Sequence, residues 1–334
     1  MKNKILVTGG AGFIGSHIVD ELLKMKKDVI VLDDLSGGFK RNINPKAHFI
    51  QGSITNQNLV KLIFKQNKIE YVYHLAAYAA EGLSHFIKKF NYENNLIGSI
   101  NLINASVNNH VKCFVFTSSI AVYGKNQLPM TENLLPCPED SYGIAKLAVE
   151  KELEITKRMF GLNYIIFRPH NVYGERQNIG DKYRNVIGIF MNQIMQGKPL
   201  TIFGTGKQSR AFTYIEDISP IISKSVFLKK AYNQIFNLGA DKPYSVNTLA
   251  RIVSKTMGVP LKIRYLEPRN EVLHAYSSHN KVKKVFGYKP KYDLEYGIAQ
   301  MSAWAQKVGC QKSKNFNNIE ILKLLPKIWR EVTG

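Results

Sequence analysis

Ile5-Leu6-Val7-Thr8-Gly9-Gly10-Ala11-Gly12-Phe13-Ile14-Gly15 runs from an apolar stretch into glycines at three-residue spacing, Gly9, Gly12 and Gly15. A strand that ends in such a turn and continues as a helix makes room for a pyrophosphate. Glycine permits the tight bend, missing side chains let backbone N–H groups approach, and the helix N-terminus adds a positive field. Val29-Ile30-Val31-Leu32 reads as the next strand and ends on Asp33, about twenty residues after the glycines. A carboxylate there accepts hydrogen bonds from a ribose 2′-hydroxyl and repels a 2′-phosphate. The two features together select NAD; Lys40 and Arg41 are the argument for NADP, and Asp33 outweighs them.

Strand and helix signals alternate through the first half. Strands are expected near 4–8, 28–33, 47–50, 70–75, 112–118 and 162–168, and helices near 13–26, 56–66, 86–109 and 139–160. That alternation predicts an α/β protein: a doubly wound parallel sheet with helices on both faces. Phe114-Val115-Phe116 and Tyr164-Ile165-Ile166-Phe167 are apolar without alternation, as strands covered on both sides are. After Arg168-Pro169 the pattern weakens. Helices are expected near 186–197, 217–229, 247–257 and 294–307, with short strands near 200–203 and 234–237. The expected division is a dinucleotide-binding domain over 1–174, rejoined by a segment near 217–240, and a smaller α/β substrate domain over 175–334.

Composition narrows the functional classes. The 46 Lys and Arg exceed the 25 Asp and Glu, giving a formal charge of +21. The lysines are scattered rather than striped with aromatics, which argues for a solvated basic surface and against nucleic-acid binding. A basic cleft also draws anionic nucleotides. Cys113, Cys137 and Cys310 form neither a metal pattern nor an even disulfide set, as expected of a cytoplasmic protein without a metal. No apolar run is long enough to span a membrane. The stretch 312–330 is amphipathic, with Ile319, Leu322, Leu325 and Trp329 among its apolar residues, and is expected to pack on the body or on a partner.

Tyr142-Gly143-Ile144-Ala145-Lys146 places a phenol and an amine four residues apart, on one face of a helix. At about 5 Å and an effective dielectric of ~20, an ammonium stabilises a phenolate by roughly 3 kcal/mol, or about two pKa units. The expectation is a phenol made acidic enough to exchange a proton with a sugar hydroxyl. Phe116-Thr117-Ser118-Ser119 ends a strand where open parallel sheets bind ligands, and Ser119 is placed to hydrogen-bond the reacting oxygen.

Taken together with Asp33-Asp34-Leu35-Ser36, His74-Leu75-Ala76-Ala77, Asn94-Asn95, Val122-Tyr123-Gly124 and Arg168-Pro169-His170-Asn171-Val172-Tyr173-Gly174, the chain resembles the extended short-chain dehydrogenase/reductases of the nucleotide-sugar epimerase/dehydratase group. Thr201-Ile202-Phe203-Gly204, Arg210 through Asp217 and Asn237-Leu238-Gly239 extend the likeness into the second half. The resemblance implies a Rossmann-type fold and a homodimer formed through the helices near 86–109 and 139–160. It implies Tyr142 as base, Lys146 as ribose anchor and Ser119 or Thr117 as hydroxyl partner. The NAD contacts it implies are Gly9, Gly12, Phe13, Ile14, Gly15, Asp33, Asp34, Ser36, Ser53, Ile54, Leu75, Ala76, Ala77, Asn95, Thr117, Tyr142, Lys146, Pro169 and Val172. For a nucleotide-sugar substrate, a UDP-hexose first, it implies Ser119, Tyr142, Asn171, Asn185, Val186, Ile202, Phe203, Gln208, Arg210, Val246, Arg269, Glu271 and Ala275. His74 and His170 occupy motif positions without a catalytic or metal-binding role.

Within that group, members that eliminate water carry Asp-Glu directly after the serine; this chain has Ile120-Ala121, which can do neither proton transfer. The expected reaction is therefore 4-epimerisation through a transient 4-keto sugar. The rivals are a 4-dehydrogenase or reductase with net redox change and a non-catalytic NAD-binding protein. The resemblance puts Ala275 at the wall position that is bulky in members accepting only plain hexoses, and a small residue there leaves space for an N-acetyl group. Ser53, Ala211 and Ser278 stand where the group usually has Asp, and Pro268–Tyr276 is one residue short of the commoner pattern.

Overall fold

The computed structural model describes residues 3–269, 271–313 and 315–330. Seven strands form its central sheet: β1 (Lys4–Thr8), β2 (Val29–Asp33), β3 (His48–Gln51), β4 (Ile69–His74), β5 (Cys113–Thr117), β6 (Asn163–Pro169) and β7 (Gln234–Leu238). Their order is β7-β6-β5-β4-β1-β2-β3, and every neighbouring pair is parallel. The order reverses direction between β1 and β4. A crevice opens there beyond the carboxyl ends of the strands, and the glycine turn after β1 lies at its mouth.

Two apolar layers sandwich this sheet. Leu6, Ile30, Val72, Phe114 and Ile166 face Val60, Leu102 and Leu153 on one side. Val7, Val31, Tyr73, Val115 and Phe167 face Ile18, Leu22, Ile218 and Ile222 on the other. The alternation within each strand explains the continuous apolar runs in the sequence: both side-chain sets are buried.

Three small sheets build the second region. Pro243–Ser245 and His274–Ala275 flank Ser209–Ala211, Leu200–Phe203 pairs with Ile263–Leu266, and Val172–Tyr173 pairs with Thr213–Tyr214. The helices Val186–Met195, Val246–Thr256 and Leu294–Val308 pack around them.

The helix expected over 86–109 runs unbroken over 88–108 but changes its hydrogen-bond register midway. It consists of Lys88–Tyr92, a π turn at Glu93–Ile97 and Gly98–Asn108. The π turn holds Asn95, whose amide is fully engaged inward: Oδ1 accepts from Tyr78 N at 2.9 Å, and Nδ2 donates to Tyr78 O at 3.1 Å and Asn91 Oδ1 at 2.8 Å. The short strands of 172–173, 209–214, 243–245 and 274–275 are absent from the sequence pattern, because two or three residues are too few to show a period.

The amphipathic stretch near the C-terminus packs on the body. Leu325 and Trp329 join Leu83, Ile87 and Tyr183 in a satellite core. Glu320 closes the contact by accepting from Lys89 N at 2.8 Å and Phe90 N at 2.9 Å, the open end of a helix. Among the described residues no helix is long and apolar enough to cross a membrane.

Candidate functional site

A single cleft of about 420 Å³ extends from the glycine turn, past the ends of β1, β4 and β5, into the second region. Its cofactor end is shaped by backbone. Gly9 adopts φ +71°, and a Cβ on Gly15 would stand 2.1 Å from Gly9 O. The helix Phe13–Lys24 begins at Gly12 with no side-chain cap, which leaves its first N–H groups to the cleft. Asp33 ends β2 with its carboxylate held by Ala11 N at 3.0 Å and Leu35 N at 2.8 Å. Burial pushes its pKa up while these donors pull it down. Two lone-pair directions remain for a ribose diol. Asp34, Ser36, Ser53, Ile54, Leu75, Ala76, Ala77, Pro169 and Val172 complete the lining; Lys40 and Arg41 are outside it. Thr117 Oγ1 is buried there without a partner among the described residues. The cradle, the uncapped helix, the carboxylate and this orphan hydroxyl together fit a dinucleotide.

Tyr142 and Lys146 descend from one helix, Ser141–Phe160, whose Asp140 cap accepts from Gly143 N at 2.8 Å. Both side chains are buried and line the cleft together with Ser119, whose hydroxyl accepts from Ala121 N at 3.1 Å. One turn further on, Glu150 receives Arg168 Nε at 2.9 Å and the Ser118 hydroxyl. This buried cluster anchors the end of β5.

The electrostatics differ from the sequence expectation. Burial, followed by the Glu81 charge, pushes the Tyr142 phenol up; Ser119 and Arg184 pull it down. Lys146 is not among the groups that lower it. Burial brings the amine itself down to about 7, and Nζ donates to the Thr117 carbonyl at 2.8 Å. The simple Coulomb argument assumed a fixed ammonium and left out the desolvation of both partners.

At the other end, Asn171, Asn185, Val186, Ile202, Phe203, Gln208, Arg210, Val246, Arg269 and Glu271 line the wall. Arg269 lies 4.7 Å from the Phe203 ring centroid and 3.1 Å from Glu271; its Nε is buried without a partner among the described residues. Arg210 donates to the carbonyls of Leu273 at 3.0 Å and Ser209 at 2.9 Å. Two expected contacts lie elsewhere. Asn95 is turned away by the π turn, and Asn94 lines the cleft instead. Ala275 packs with Ile120, Tyr123 and Met130 in a separate apolar cluster, so it forms no sugar-facing wall and the space inferred from it is not in the cleft.

His74 is buried between Thr8 Oγ1 and Ser99 Oγ, both at 2.8 Å. His170 joins Ala211 O and His279, each at 2.9 Å, and burial brings it down to about 3. Neither lines the cleft. The sequence reading missed Tyr78, Glu81 and Arg184. Arg184 reaches the cleft from the loop 174–185, with Nε 2.7 Å from Asp181 and its guanidinium 4.6 Å from the Tyr78 ring centroid. The only hint of Glu81 was an acid soon after His74-Leu75-Ala76-Ala77.

Residues 5–239 match the NAD dependent epimerase/dehydratase family. A putative UDP-glucose 4-epimerase of Methanocaldococcus jannaschii is 38% identical over 304 residues, covering 90% of this chain and 97% of the relative. The UDP-glucose 4-epimerase of Thermotoga maritima, solved with UDP-glucose, superposes with a TM-score of 0.86 at 35% identity, covering 91% of this chain and 99% of that one. The UDP-glucuronic acid 4-epimerase of Bacillus cereus, solved with UDP-glucuronic acid and NAD, has a TM-score of 0.82 at 29% identity, over 91% and 99% of the two chains. With its sheet order, its glycine cradle and this match over most of its length, the chain belongs to the NAD dependent epimerase/dehydratase family.

Proposed function

We propose that this protein interconverts the C4 epimers of a nucleoside-diphosphate hexose, with NAD as its cofactor and a UDP-hexose as the first candidate substrate. The observation that carries this reading is the convergence of Ser119, Tyr142 and Lys146 on one cleft, with the Gly9–Gly15 cradle at one end and Arg210 and Arg269 at the other. When bound, NAD supplies hydride chemistry at the sugar C4, removing a hydride and returning it to the opposite face.

The protein's residues do the rest. Tyr142 takes the proton from the 4-hydroxyl and later gives it back, and Ser119 holds that oxygen against the phenol. Lys146, fixed to the Thr117 carbonyl, is in position to anchor the cofactor ribose. Arg210 and Arg269 suit the diphosphate through charge-assisted hydrogen bonds. Ile120 and Ala121 offer no group to protonate a leaving hydroxyl or remove a C5 proton, which supports epimerisation over dehydration.

The test is direct. The purified protein is incubated with UDP-glucose, UDP-N-acetylglucosamine, UDP-glucuronate and GDP-hexoses, and products are read by NMR alongside nicotinamide absorbance. Formation of a 4-epimer without net absorbance change is expected. A net change marks a dehydrogenase or reductase, and no turnover of any sugar rejects the reading.

A further inference from the structure

The turn that follows β4 brings another ionisable group to the sugar end of the cleft. Glu81 opens the short helix Glu81–Ser84 and lines the same cavity as Ser119, Tyr142 and Arg184. It is exposed rather than buried. Among the described residues nothing donates a hydrogen bond to its carboxylate or forms an ion pair with it. Two hydrogen bonds tie it to the phenol-bearing residue: Tyr142 N donates to Ser84 Oγ at 3.1 Å, and Ser84 Oγ donates to Glu81 O at 2.7 Å. A Cβ at the neighbouring Gly82 would lie 3.3 Å from the Trp329 ring and 3.7 Å from Arg269 Nη1, so Trp329 and Arg269 close in on this segment.

The charges around Glu81 come from several elements. Asp140, at the N-terminus of the Tyr142 helix, and Glu271 are repulsive; Arg210 and Arg269 are attractive. The two arginines are both shared with Glu271, at 3.6 and 3.1 Å. A bare carboxylate in this position has acceptor capacity only, and it meets a second carboxylate with like-charge repulsion.

We propose that Glu81 is a specificity-determining residue: it accepts hydrogen bonds from the hydroxyl or amide groups of a neutral hexose and excludes hexuronates from the site. This rests on the 4-epimerase reading for the identity of the ligand as a sugar nucleotide.

The experiment compares UDP-glucose with UDP-glucuronate on the wild-type protein, Glu81→Gln and Glu81→Val. It is run at about pH 8, above the value of about 7 to which desolvation and Asp140 push this carboxyl, so that the group is ionised. Epimerisation is followed by NMR and affinity by calorimetry. Wild-type kcat/KM is expected to favour glucose by about a hundredfold, and Glu81→Gln to narrow that ratio at least about tenfold, chiefly by gaining UDP-glucuronate. An unchanged ratio in both variants overturns the proposal, as does a wild-type protein that handles the two sugars equally. Melting curves confirm that each variant is folded. If neither sugar is epimerised, the ratio of the two Kd values decides the role of Glu81 while the reaction itself is rejected; binding of neither sugar rejects both.

Discussion

Lys146 Nζ lies 5.7 Å from the centroid of the Tyr142 ring and spends its hydrogen bond on the Thr117 carbonyl, 2.8 Å away. The pair shares a helical face, as the spacing predicts, but the amine is not bonded to the phenol. Burial first, and then the Glu81 charge, pushes the phenol up. Proton removal by Tyr142 is therefore favoured by alkaline conditions. Epimerase activity is expected to climb with pH from neutrality towards pH 9, measured as kcat/KM across a buffer series. Tyr142→Phe, which keeps the ring and removes the proton carrier, is expected to lower kcat by about a thousandfold with the fold intact. Activity within a few-fold of wild type removes Tyr142 from the mechanism.

Stability gives an independent reading of Lys146. Its folded-state pKa of about 7 lies below the usual lysine value of 10.5, so the unfolded chain binds more protons between those two values. Stability then rises with pH across that window, and the burial penalty is complete at and below about pH 7. Lys146→Met removes the penalty at the cost of one hydrogen bond to Thr117. A net gain of about 1–3 kcal/mol at pH 7 is expected, with loss of activity. The gain shrinks as denaturation is repeated towards pH 10. A destabilised variant at pH 7 contradicts the assignment.

The buried ion pair of Glu150 and Arg168 behaves oppositely. Arg168 is 2% exposed, donates to Glu150 from Nε at 2.9 Å, and stacks 4.6 Å from the Tyr123 ring centroid. Glu150→Gln leaves the guanidinium charge uncompensated and is expected to cost about 3–5 kcal/mol in urea unfolding. The same substitution loosens Ser118, the neighbour of Ser119, so a fall in kcat accompanies it. A loss under about 1 kcal/mol shows that the cluster tolerates the charge.

Much of the sheet was legible because its strands carry uninterrupted apolar runs and its glycine turn has a steric reason at each position. A Cβ on Gly15 has nowhere to go, and Asp33 follows at the length of one helix crossover. What stayed hidden depends on partners distant in sequence. Asn95 looks like Asn94 until the π turn rotates one inward, and Ala275 aligns loosely until its strand is seen paired beside Arg210. Glu81 and Arg184 carry no period and no spacing rule; only the folded cleft brings them to the phenol. The pKa order failed for a related reason: charge separation is readable from helical spacing, whereas desolvation depends on the whole surrounding shell.

Gly15→Ala tests the cradle without touching the sugar end. The added methyl group meets Gly9 O at 2.1 Å and must push the turn away from the helix start. Loss of NAD affinity by at least about tenfold is expected, read by fluorescence titration, with UDP binding retained. Equal loss of UDP binding points to general misfolding, and unchanged NAD affinity removes the cradle from cofactor binding.

The exposed apolar side chains bear on the assembly. Ile144 and Ile155, each 44% exposed, stand three helical turns apart on one face of the Ser141–Phe160 helix, followed by Met159 at 68%. Ile97, 52% exposed, lies on the helical stretch that packs against it. Leaving this stripe in water forfeits burial worth roughly 25 cal/mol per Å², and a second copy presents the same stripe in return. These are the two helices through which the family resemblance implies a homodimer. Light scattering is expected to give twice the 37.9 kDa chain mass for the wild-type protein and a shift to one chain for Ile155→Asp. A wild-type protein that runs as a single chain at micromolar concentration rejects this interface, and a dimer indifferent to Ile155→Asp places it elsewhere on the surface.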